Sequence, residues 1–387
     1  MNRRNFIYST GVLITATSLP FYFFNSGSTA KDSQKRPDPK KFKEATLKGI
    51  AYGINAPNPH NTQAWKFQLL SENEMLFFVD ETRLLEATDP STRQIHIGCG
   101  CFLECMKLGM QRAGYKTQID YFPEGDYQTK NIGKKPIAKI TFTQSNPQKI
   151  SDISNYIYQR KTSRLKYKGS ITDVEFNALL EKTAHKFSEI RLIHQASELE
   201  QILPILYKGM EIETFTYNTH EESRKWFRQN DKRIEQMRDG INFAGGGTTG
   251  ISKWFAERQL KTLDPKIWHD VEANKLFLKK HKNKVLLSNG IVIFKTTTNN
   301  FLDWIQTGHD YFRFSLACTE KGFYLHPLSQ VLQEFDEMKE LREAFEGLMK
   351  INAPEKIQMA VRIGKSKPPY HSFRRLTSDF TIGKGVY

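Results

Sequence analysis

The same order of secondary-structure signals occurs twice along this chain of 387 residues, although the sequence shows no exact internal repeat. The first occurrence is a helix, two strands, a helix and two further strands, at 42–53, 65–70, 75–80, 98–114, 118–122 and 136–143. The second is two helices that start at 152 and 172, followed by two strands, a helix and a strand at 189–194, 290–296, 303–321 and 357–363. These patterns predict an α+β fold of two fused, diverged halves, at 42–148 and 149–387.

Each half contains one segment that predicts a buried central helix. In residues 98–114, large apolar side chains recur at helical spacing with few charges between them: Phe102, Leu103, Met106, Leu108 and Met110. This period indicates a helix that is buried on most of its surface. Residues 303–321 have the length and period of its counterpart in the second half.

A long helical insertion separates two predicted strands of the second half. It covers about residues 200–285 and contains Trp226, Trp254 and Trp268. An insertion of this size is a candidate lid over a site. The glycine-rich run at 245–250 lacks the Gly-Lys-Ser/Thr ending of a phosphate-binding loop, so it is interpreted as a turn between helices.

The first 30 residues have the layout of an export signal. A cationic start with Arg3 and Arg4 precedes an uncharged stretch at 8–24 and small residues that end at Ala30. The arginine pair followed by x-Phe-Ile resembles a twin-arginine (Tat) signal, whose route carries folded cargo and requires the Tat translocase as a partner. The mature chain is therefore expected in the periplasm, after a flexible linker at 31–41. An uncleaved signal that anchors the chain to the inner membrane is the alternative.

The chain has 57 Lys and Arg against 42 Asp and Glu, a formal net charge of +15. Such an excess fits nucleic acid, an anionic membrane surface or an anionic cofactor. The basic residues are spread along the chain, no nucleic-acid-binding module is recognisable, and the basic run at 275–284 is typical of a solvated helix end. No nucleic-acid partner is therefore expected, whereas a cofactor phosphate needs only a few of these charges.

Four cysteines are too few for a scaffold held together by disulfides. Cys99, Cys101 and Cys105 are close enough in sequence to suggest metal binding, but no His or Cys pair at zinc spacing lies elsewhere to complete four ligands. The prediction is no metal site, with these cysteines as small residues of the central helix. The sequence leaves open whether two of the four cysteines pair in an oxidising compartment.

A basic segment near the middle of the chain has the groups that hold a phosphate. In an extended backbone, Arg160 and Arg164 lie on one face with the hydroxyl of Thr162 between them. A guanidinium fork and a neutral donor can then bind one phosphate.

A second polar segment, the loop at 57–63, precedes the first predicted strand. Two prolines stiffen it, and His60, Asn61 and Gln63 supply donors and acceptors for the edge of a planar polar ring. Polar groups this dense are costly to order without a partner. An Asx-rich turn leading into a strand is the alternative interpretation.

Together these segments resemble those of the nitroreductase superfamily. Ala-Pro-x-x-x-Asn-x-Gln-x-Trp, which begins at Ala56, is similar to its signature loop, and His before Asn resembles its tandem, Acg-like branch. The Arg-x-Thr-x-Arg segment at 160–164 is similar to the family motif that binds the FMN phosphate and pyrimidine edge. Two departures are Ala64 where Pro is usual and Thr162 where Ser is common, and neither removes a needed donor.

The resemblance continues around both segments. Asp89-Pro90 with Arg93 resembles the tandem branch, and residues 322–330 resemble the family stretch that passes over the flavin face. Residues 362–365 and Arg374-Arg375 resemble the terminal strand and its phosphate-binding basic residue. The cofactor-binding residues implied are His60, Asn61, Gln63, Arg160, Lys161, Thr162, Arg164, Pro327, Leu328, Ser329, Gln330, Arg374 and Arg375.

The family also implies an architecture. In its homodimers the amide loop of one subunit meets the basic motif of the other, and this chain carries the loop only in its first half and the motif only in its second. The expectation is an intramolecular pseudodimer with one complete FMN site and a degenerate second site.

The activity implied is that of an FMN-dependent oxidoreductase that reduces a small aromatic or quinone-type acceptor by ping-pong hydride transfer. Arg164 is expected to stabilise negative charge on reduced flavin, Arg160, Thr162 and Arg375 to hold the phosphate, and Asn61 and Gln63 to orient the ring. No catalytic side chain is required. His60 and His326 are candidate proton donors, with ring packing or backbone bonding as the alternative role.

The reduced donor is left open between NAD(P)H and another reductant, because no Gly-x-Gly-x-x-Gly fingerprint occurs and nicotinamides are scarce outside the cytoplasm. This compartment problem favours a second candidate, a flavin-sequestering protein with little turnover. A third candidate is an exported basic protein that binds anionic polymers.

Overall fold

The computed structural model describes residues 35–146 and 150–382. The predicted signal at 1–30, with residues 31–34 of the predicted linker, lies outside the described residues. Within the described ranges, no helix combines the length and the apolar character that a bilayer span needs.

The bounds of the regular elements follow. The α-helices are α1 (Ala45–Gly53), α2 (Arg93–Arg112), α3 (Asp173–Thr183), α4 (Ala196–Phe215), α5 (Tyr217–Lys225), α6 (Asp231–Met237), α7 (Gly250–Gln259), α8 (Pro265–Trp268), α9 (Val271–Val285), α10 (Phe301–Glu320) and α11 (Lys339–Leu348). The strands are β1 (Trp65–Leu69), β2 (Glu74–Val79), β3 (Tyr115–Tyr121), β4 (Ala138–Gln144), β5 (Glu189–Ile193), β6 (Ile291–Thr296), β7 (Tyr324–Pro327), β8 (Lys356–Gly364) and β9 (Thr381–Ile382).

Two sheets, one in each half, have the same strand order. The first contains β3-β4-β2-β1, and the second contains β7-β8-β6-β5. All of these neighbours pair antiparallel. In each half the second strand leads into a long central helix, α2 or α10, before the chain returns through the last two strands. Both halves therefore follow one path.

The second half also contributes a strand to the first sheet. The short strand β9 pairs in parallel with β1, and Phe67 lies opposite Thr381. The segment that leads to it, residues 371–375, runs alongside the loop at 57–63.

The central helices α2 and α10 are in backbone contact at two glycines. A Cβ atom on Gly100 would lie 1.8 Å from the carbonyl oxygen of Ile305. A Cβ atom on Gly308 would lie 2.1 Å from the carbonyl oxygen of Ile97. Only glycine allows the helices to approach this closely, and this contact fixes the position of one half against the other.

Two apolar cores lie on either side of the second sheet. The larger joins both central helices and both sheets, with Trp65, Phe102, Phe294 and Phe312 among its members. The smaller packs α4 of the insertion against the other face of the second sheet through side chains such as Leu206 and Ile293. The remaining helices of the insertion, α5 to α9, extend from this base.

Most regular elements form where the sequence predicts them, but the helix predicted from Asp152 is wrong. The segment makes only a 3₁₀ turn at Asp152–Tyr156. Ser154 and Asn155 compete for backbone hydrogen bonds, which weakens a helix, and here both side chains accept from Arg112 instead. Strands β7 and β9 were not predicted from the sequence.

Part of the predicted linker at 31–41 is packed against the fold. Lys35 and Arg36 are buried. The Arg36 Nη1 atom donates to the side-chain oxygen of Asn55 over 3.0 Å, and its Nε atom donates to the Ser372 carbonyl over 3.3 Å.

Candidate functional site

The loop at 57–63 is held in an unusual backbone conformation. His60, Asn61 and Gln63 have φ angles of 46°, 55° and 52°, in the left-handed region that non-glycine residues seldom occupy. The Asn58 side chain accepts from the Gln63 backbone N–H over 2.8 Å and so closes the turn. A run of such residues persists only where the surroundings impose it, and strain of this kind concentrates at functional sites.

The two amides of this loop are bound by the second half of the chain. The Asn61 side-chain oxygen accepts from Arg374 Nη1 over 2.8 Å. The Gln63 side-chain oxygen accepts from the Arg375 backbone N–H over 2.9 Å, and its Nε2 atom donates to the Arg238 carbonyl over 2.9 Å. Both predicted ring-orienting residues therefore also fasten the loop to the tail at 371–375 and to the insertion.

Arg374 and Arg375 are placed at the loop, where both sustain its conformation. Arg374 is 3% exposed and donates to the carbonyls of Ile54 and Ala56 over 2.7 and 3.0 Å. Arg375 donates from Nη2 to the Asp379 carbonyl over 2.6 Å and lies over the Phe380 ring. Arg375 was predicted to hold a phosphate, but in this arrangement its guanidinium bonds to a carbonyl of its own segment.

Arg160 lies beside Arg374. It is 4% exposed, and its Nε atom is buried without a hydrogen-bond partner among the described residues. Burial and the repulsion from Arg160 lower the pKa of Arg374 to about 9. Two guanidinium groups held this close in the interior are unfavourable unless an anion compensates them.

Other cations surround the same point. Burial, and then Arg36, Lys161, Arg374 and Lys35, hold the pKa of His371 far below its usual range. Each of these four side chains is cationic. The sequence predictions missed Arg36 and His371, because Arg36 lies within the predicted linker at 31–41 and His371 belongs to no recognisable motif.

The basic segment at 160–164 spans the site. Arg160 Nη1 is 3.5 Å from the Thr162 hydroxyl, and Thr162 forms a parallel bridge with Leu325 of β7. Arg164 is half-buried, and its Nη1 atom donates to the Gly245 carbonyl over 3.3 Å. Burial and Arg164 lower the pKa of His60 to about 4, so that imidazole is neutral at pH 7. One end of the segment thus lies near Arg374 and Asn61, and the other near His60.

The predicted residues at 327–330 lie at the base of the insertion. Leu328 is fully buried in the smaller core, and its backbone N–H donates to the Ala360 carbonyl over 2.8 Å. The hydroxyl of Ser329 and the side-chain oxygen of Gln330 are buried without partners in the described part of the chain. No described hydrogen bond joins 327–330 to the loop or to the basic segment.

The insertion covers the loop. His60 Nε2 is 3.2 Å from the Ser223 hydroxyl, and the Gly240 backbone N–H donates to the Asn61 carbonyl over 3.2 Å. Arg83, next to the first sheet, lies over the Trp226 ring at 5.0 Å and is paired with Asp239. The insertion therefore has the contacts of a lid, as its size and position predict.

Chemically, the centre of this site fits an anionic group. A buried guanidinium whose Nε lacks a partner in the described ranges, a second guanidinium beside it and further cations are the kinds of group that bind a phosphate. The amide loop and Arg164 extend the polar surface away from that cradle. Two cavities between described residues, of about 360 and 640 Å³, have none of these side chains in their lining.

Comparison with known proteins gives partial matches, and no protein-family model matches the chain. An uncharacterized protein of Mycobacterium tuberculosis is 32% identical over 123 residues, 30% of this chain and 34% of the relative. The putative NAD(P)H nitroreductase acg of that species is 30% identical over 87 residues, 22% and 26% of the two chains. A further putative NAD(P)H nitroreductase of the species is 24% identical over 113 residues, 28% and 33%. The matches thus span about a third or less of the length of these curated relatives.

Solved structures align weakly. A nitroreductase-like family protein from Bacillus cereus is 12% identical at a TM-score of 0.35, over 62% of this chain and 99% of that one. The FMN-dependent nitroreductase NfnB from Mycobacterium smegmatis is 11% identical at a TM-score of 0.34, over 57% and 90%. Alignments at this level decide neither the fold nor the activity. Two of the relatives that the chain resembles over about a quarter of its length are thus named as putative NAD(P)H nitroreductases.

Proposed function

We propose that this protein is an FMN-dependent oxidoreductase of the nitroreductase type. The observation that carries the proposal is the pair of buried guanidinium groups, Arg160 and Arg374, next to the amide loop, with the Nε atom of Arg160 lacking a partner among the residues that the structure describes. A phosphate compensates these charges, and the loop with Arg164 supplies polar groups for the edge of a planar ring. The nitroreductase names of two relatives agree with this chemistry.

Within this proposal each half contributes its own part. Arg160, with Lys161 and Thr162, holds the phosphate, Arg164 approaches the pyrimidine edge, and Arg374 keeps Asn61 in position. Bound FMN supplies hydride transfer from a reduced donor, such as a nicotinamide, to a small aromatic or quinone-type acceptor. Donor and acceptor use one site in turn, so parallel lines in double-reciprocal plots are the kinetic expectation.

The proposal includes an intramolecular pseudodimer. The identical strand order and pairing of the two sheets support a duplicated unit, and the close contact of α2 with α10 at Gly100 and Gly308 supports a dimer-like interface. The loop comes from the first half and the basic segment from the second, as a single composite site requires.

The loop that corresponds to 57–63 in the second half is 184–188, between α3 and β5. Its backbone N–H groups at Lys186, Phe187 and Ser188 donate to the carboxylate of Asp310 over 3.0, 2.8 and 2.7 Å. A carboxylate from the chain itself thus occupies the donors of that loop. This arrangement supports a degenerate second site.

Export through the Tat route to the periplasm is part of the proposal and rests on the sequence at 1–30. Its test is cell fractionation of the wild type and of Arg3→Lys combined with Arg4→Lys. The wild type is expected in the periplasmic fraction and the variant in the cytoplasm. Equal distribution of the two proteins would contradict the twin-arginine assignment.

The test of the FMN site is the visible spectrum of the purified protein, with mass identification of the released flavin. The wild type is expected to be yellow, and Arg160→Ala combined with Arg164→Ala is expected to be colourless with an unchanged far-UV circular dichroism spectrum. Arg191→Ala combined with Arg233→Ala, two exposed arginines, is the matched control and keeps the flavin. Full flavin occupancy in the Arg160/Arg164 variant would refute the site.

A second candidate function, flavin sequestration with little turnover, is favoured by one observation. The insertion bonds to the loop through Ser223, Arg238 and Gly240, which shields the site from solvent. Steady-state assays with NADPH, NADH or a chemical reductant against nitroaromatics and quinones separate the two functions. Rapid reoxidation of the flavin by an acceptor excludes sequestration.

A further inference from the structure

A second group of basic side chains lies beyond Arg164, away from Arg160. It comprises Arg362 on β8, His326 on β7, and His281 and Lys284 on α9. His326 and Arg362 are directly opposite each other in the antiparallel β7/β8 pair. The imidazoles of His281 and His326 have ring centres 6.3 Å apart. Three elements of the second half therefore bring basic side chains to one place.

Three polar atoms of this group are buried and unpartnered. They are Arg362 Nε, His281 Nε2 and His326 Nδ1, which have no hydrogen-bond partner in the described ranges. Arg362 is fully buried, and the two histidines are less than 10% exposed. Buried polar groups almost always have a hydrogen-bond partner, so three that lack one in a single cluster indicate that a ligand supplies it.

The electrostatics specify the charge of that partner. Burial, then Arg362 and Lys284, lower the pKa of His281 to about 3. Burial, Arg362 and Arg164 hold the pKa of His326 well below its usual range. The charged groups that lower these pKa values, Arg164, Lys284 and Arg362, are all cationic. An anion at this point relieves the repulsion, accepts from Arg362 Nε and favours protonation of the two imidazoles, which can then donate to it.

The glycine-rich turn of the insertion closes the cluster on its solvent side. The carbonyl oxygens of Gly245 and Gly246 accept from Arg164 Nη1 and Lys284 Nζ, each over 3.3 Å. A Cβ atom on Gly247 would lie 3.5 Å from Lys284 Nζ. Two neutral carbonyl oxygens thus accept from cations that an anionic oxygen binds more strongly. An anionic ligand therefore competes with these carbonyls for Arg164 and Lys284.

We propose that Arg164, Arg362, Lys284, His281 and His326 form an oxyanion subsite that binds the carboxylate or phosphate of a substrate. This inference rests on the proposed FMN function. The subsite then selects electron acceptors or donors that carry an anionic group. It lies next to the ring-binding end of the basic segment, because Arg164 belongs to both groups. The phosphate of the cofactor itself belongs to the other end, at Arg160.

The experiment measures binding without turnover on the full chain as purified. Imidazole signals are followed by NMR during titration with benzoate, inorganic phosphate and, as the uncharged analogue, benzamide. Benzoate or phosphate is expected to shift the signals of His281 and His326, whereas benzamide leaves them in place. Tighter benzoate binding identifies a carboxylate ligand, and tighter phosphate binding identifies a phosphate-bearing one. No shift with either anion overturns the proposal.

The variant series uses Lys284→Met, which removes one half-buried charge and keeps the apolar stem. Its affinity for the preferred anion is expected to fall roughly tenfold, the loss of one charged hydrogen bond. Lys279→Met, an exposed lysine of the same helix, is the matched control and retains the wild-type affinity. Equal affinities for all three proteins contradict the subsite. His326→Gln, which keeps a neutral polar group, is an independent second variant, and its affinity for the preferred anion is also expected to fall.

The flavin content of the purified protein distinguishes failure of the oxyanion subsite from failure of the FMN proposal. A colourless wild type that still binds benzoate or phosphate refutes the FMN function and leaves the oxyanion subsite in place. A yellow wild type that binds neither anion refutes the subsite alone. Loss of FMN from Lys284→Met assigns these cations to the cofactor phosphate and overturns the proposal.

Discussion

Gly100→Ala is expected to force the two central helices apart. The added Cβ would lie 1.8 Å from the Ile305 carbonyl oxygen, and an ordinary contact requires about 3.2 Å, so the backbones must separate by roughly 1.4 Å. Overpacking of this kind costs about 3 kcal/mol when the obstacle is backbone and cannot rotate away. The gain in helix propensity from Gly to Ala offsets about 1 kcal/mol. The free energy of unfolding should therefore fall by about 2 kcal/mol.

Gly347→Ala provides the matched control. Gly347 also lies within a helix, α11, but a Cβ atom there meets nothing within 4 Å. Its substitution should raise the free energy of unfolding by up to about 1 kcal/mol through propensity alone. Urea unfolding of the wild type and both variants, followed by far-UV circular dichroism, gives the comparison. Gly308→Ala, which meets the Ile97 carbonyl from the other helix, should behave like Gly100→Ala.

The same substitution should weaken the composite site. The loop with Asn61 and the segment with Arg160 belong to different halves, so a change in helix separation alters their distance. Flavin retained after dialysis should therefore be lower in Gly100→Ala than in Gly347→Ala. If Gly100→Ala is as stable as Gly347→Ala, the helices are not in backbone contact and the reasoning is refuted.

Two further predictions concern buried groups. Burial raises the pKa of Glu213 to about 7, so this carboxyl stays protonated in the folded chain while its unfolded counterpart ionises from about pH 4.5. Stability is therefore lost as pH rises from about 4.5 to 7, and Glu213→Gln should be more stable than the wild type by about 3 kcal/mol at pH 8 and nearly equal at pH 4, as measured by urea unfolding; a constant difference across pH would contradict this. Cys99, Cys101, Cys105 and Cys318 are free and buried, and burial raises the pKa of each thiol, so a thiol reagent should label none of them in the native protein and all four in denaturant; rapid native labelling would show that the α2–α10 core opens.

The sequence predicted the central helices because their apolar period is long and has few interruptions. It also predicted that the loop at 57–63 and the segment at 160–164 lie close together, and in the structure Arg374 lies between Asn61 and Arg160; their role in binding a cofactor stays a prediction. The loop and the basic segment were identifiable because dense polar groups between prolines, and arginines on one face, have few purely local roles.

Other parts of the site had no local signal. Arg36 and His371 join the cation cluster only because distant segments fold onto the loop, and Arg374 bonds to Asn61 across 313 residues. The cluster around Arg362 likewise depends on the register of β7 against β8, and the sequence did not indicate β7 as a strand. Pairing of this kind is set by tertiary packing, so no window of sequence contains it.

The pairing of β1 with β9 has a consequence for biosynthesis. Until the distal segment has left the ribosome, the outer edge of β1 exposes unpaired backbone donors and acceptors while most of the chain is still being made. An exposed strand edge can pair with other nascent molecules, so we expect a chaperone to shield the β1 edge during synthesis.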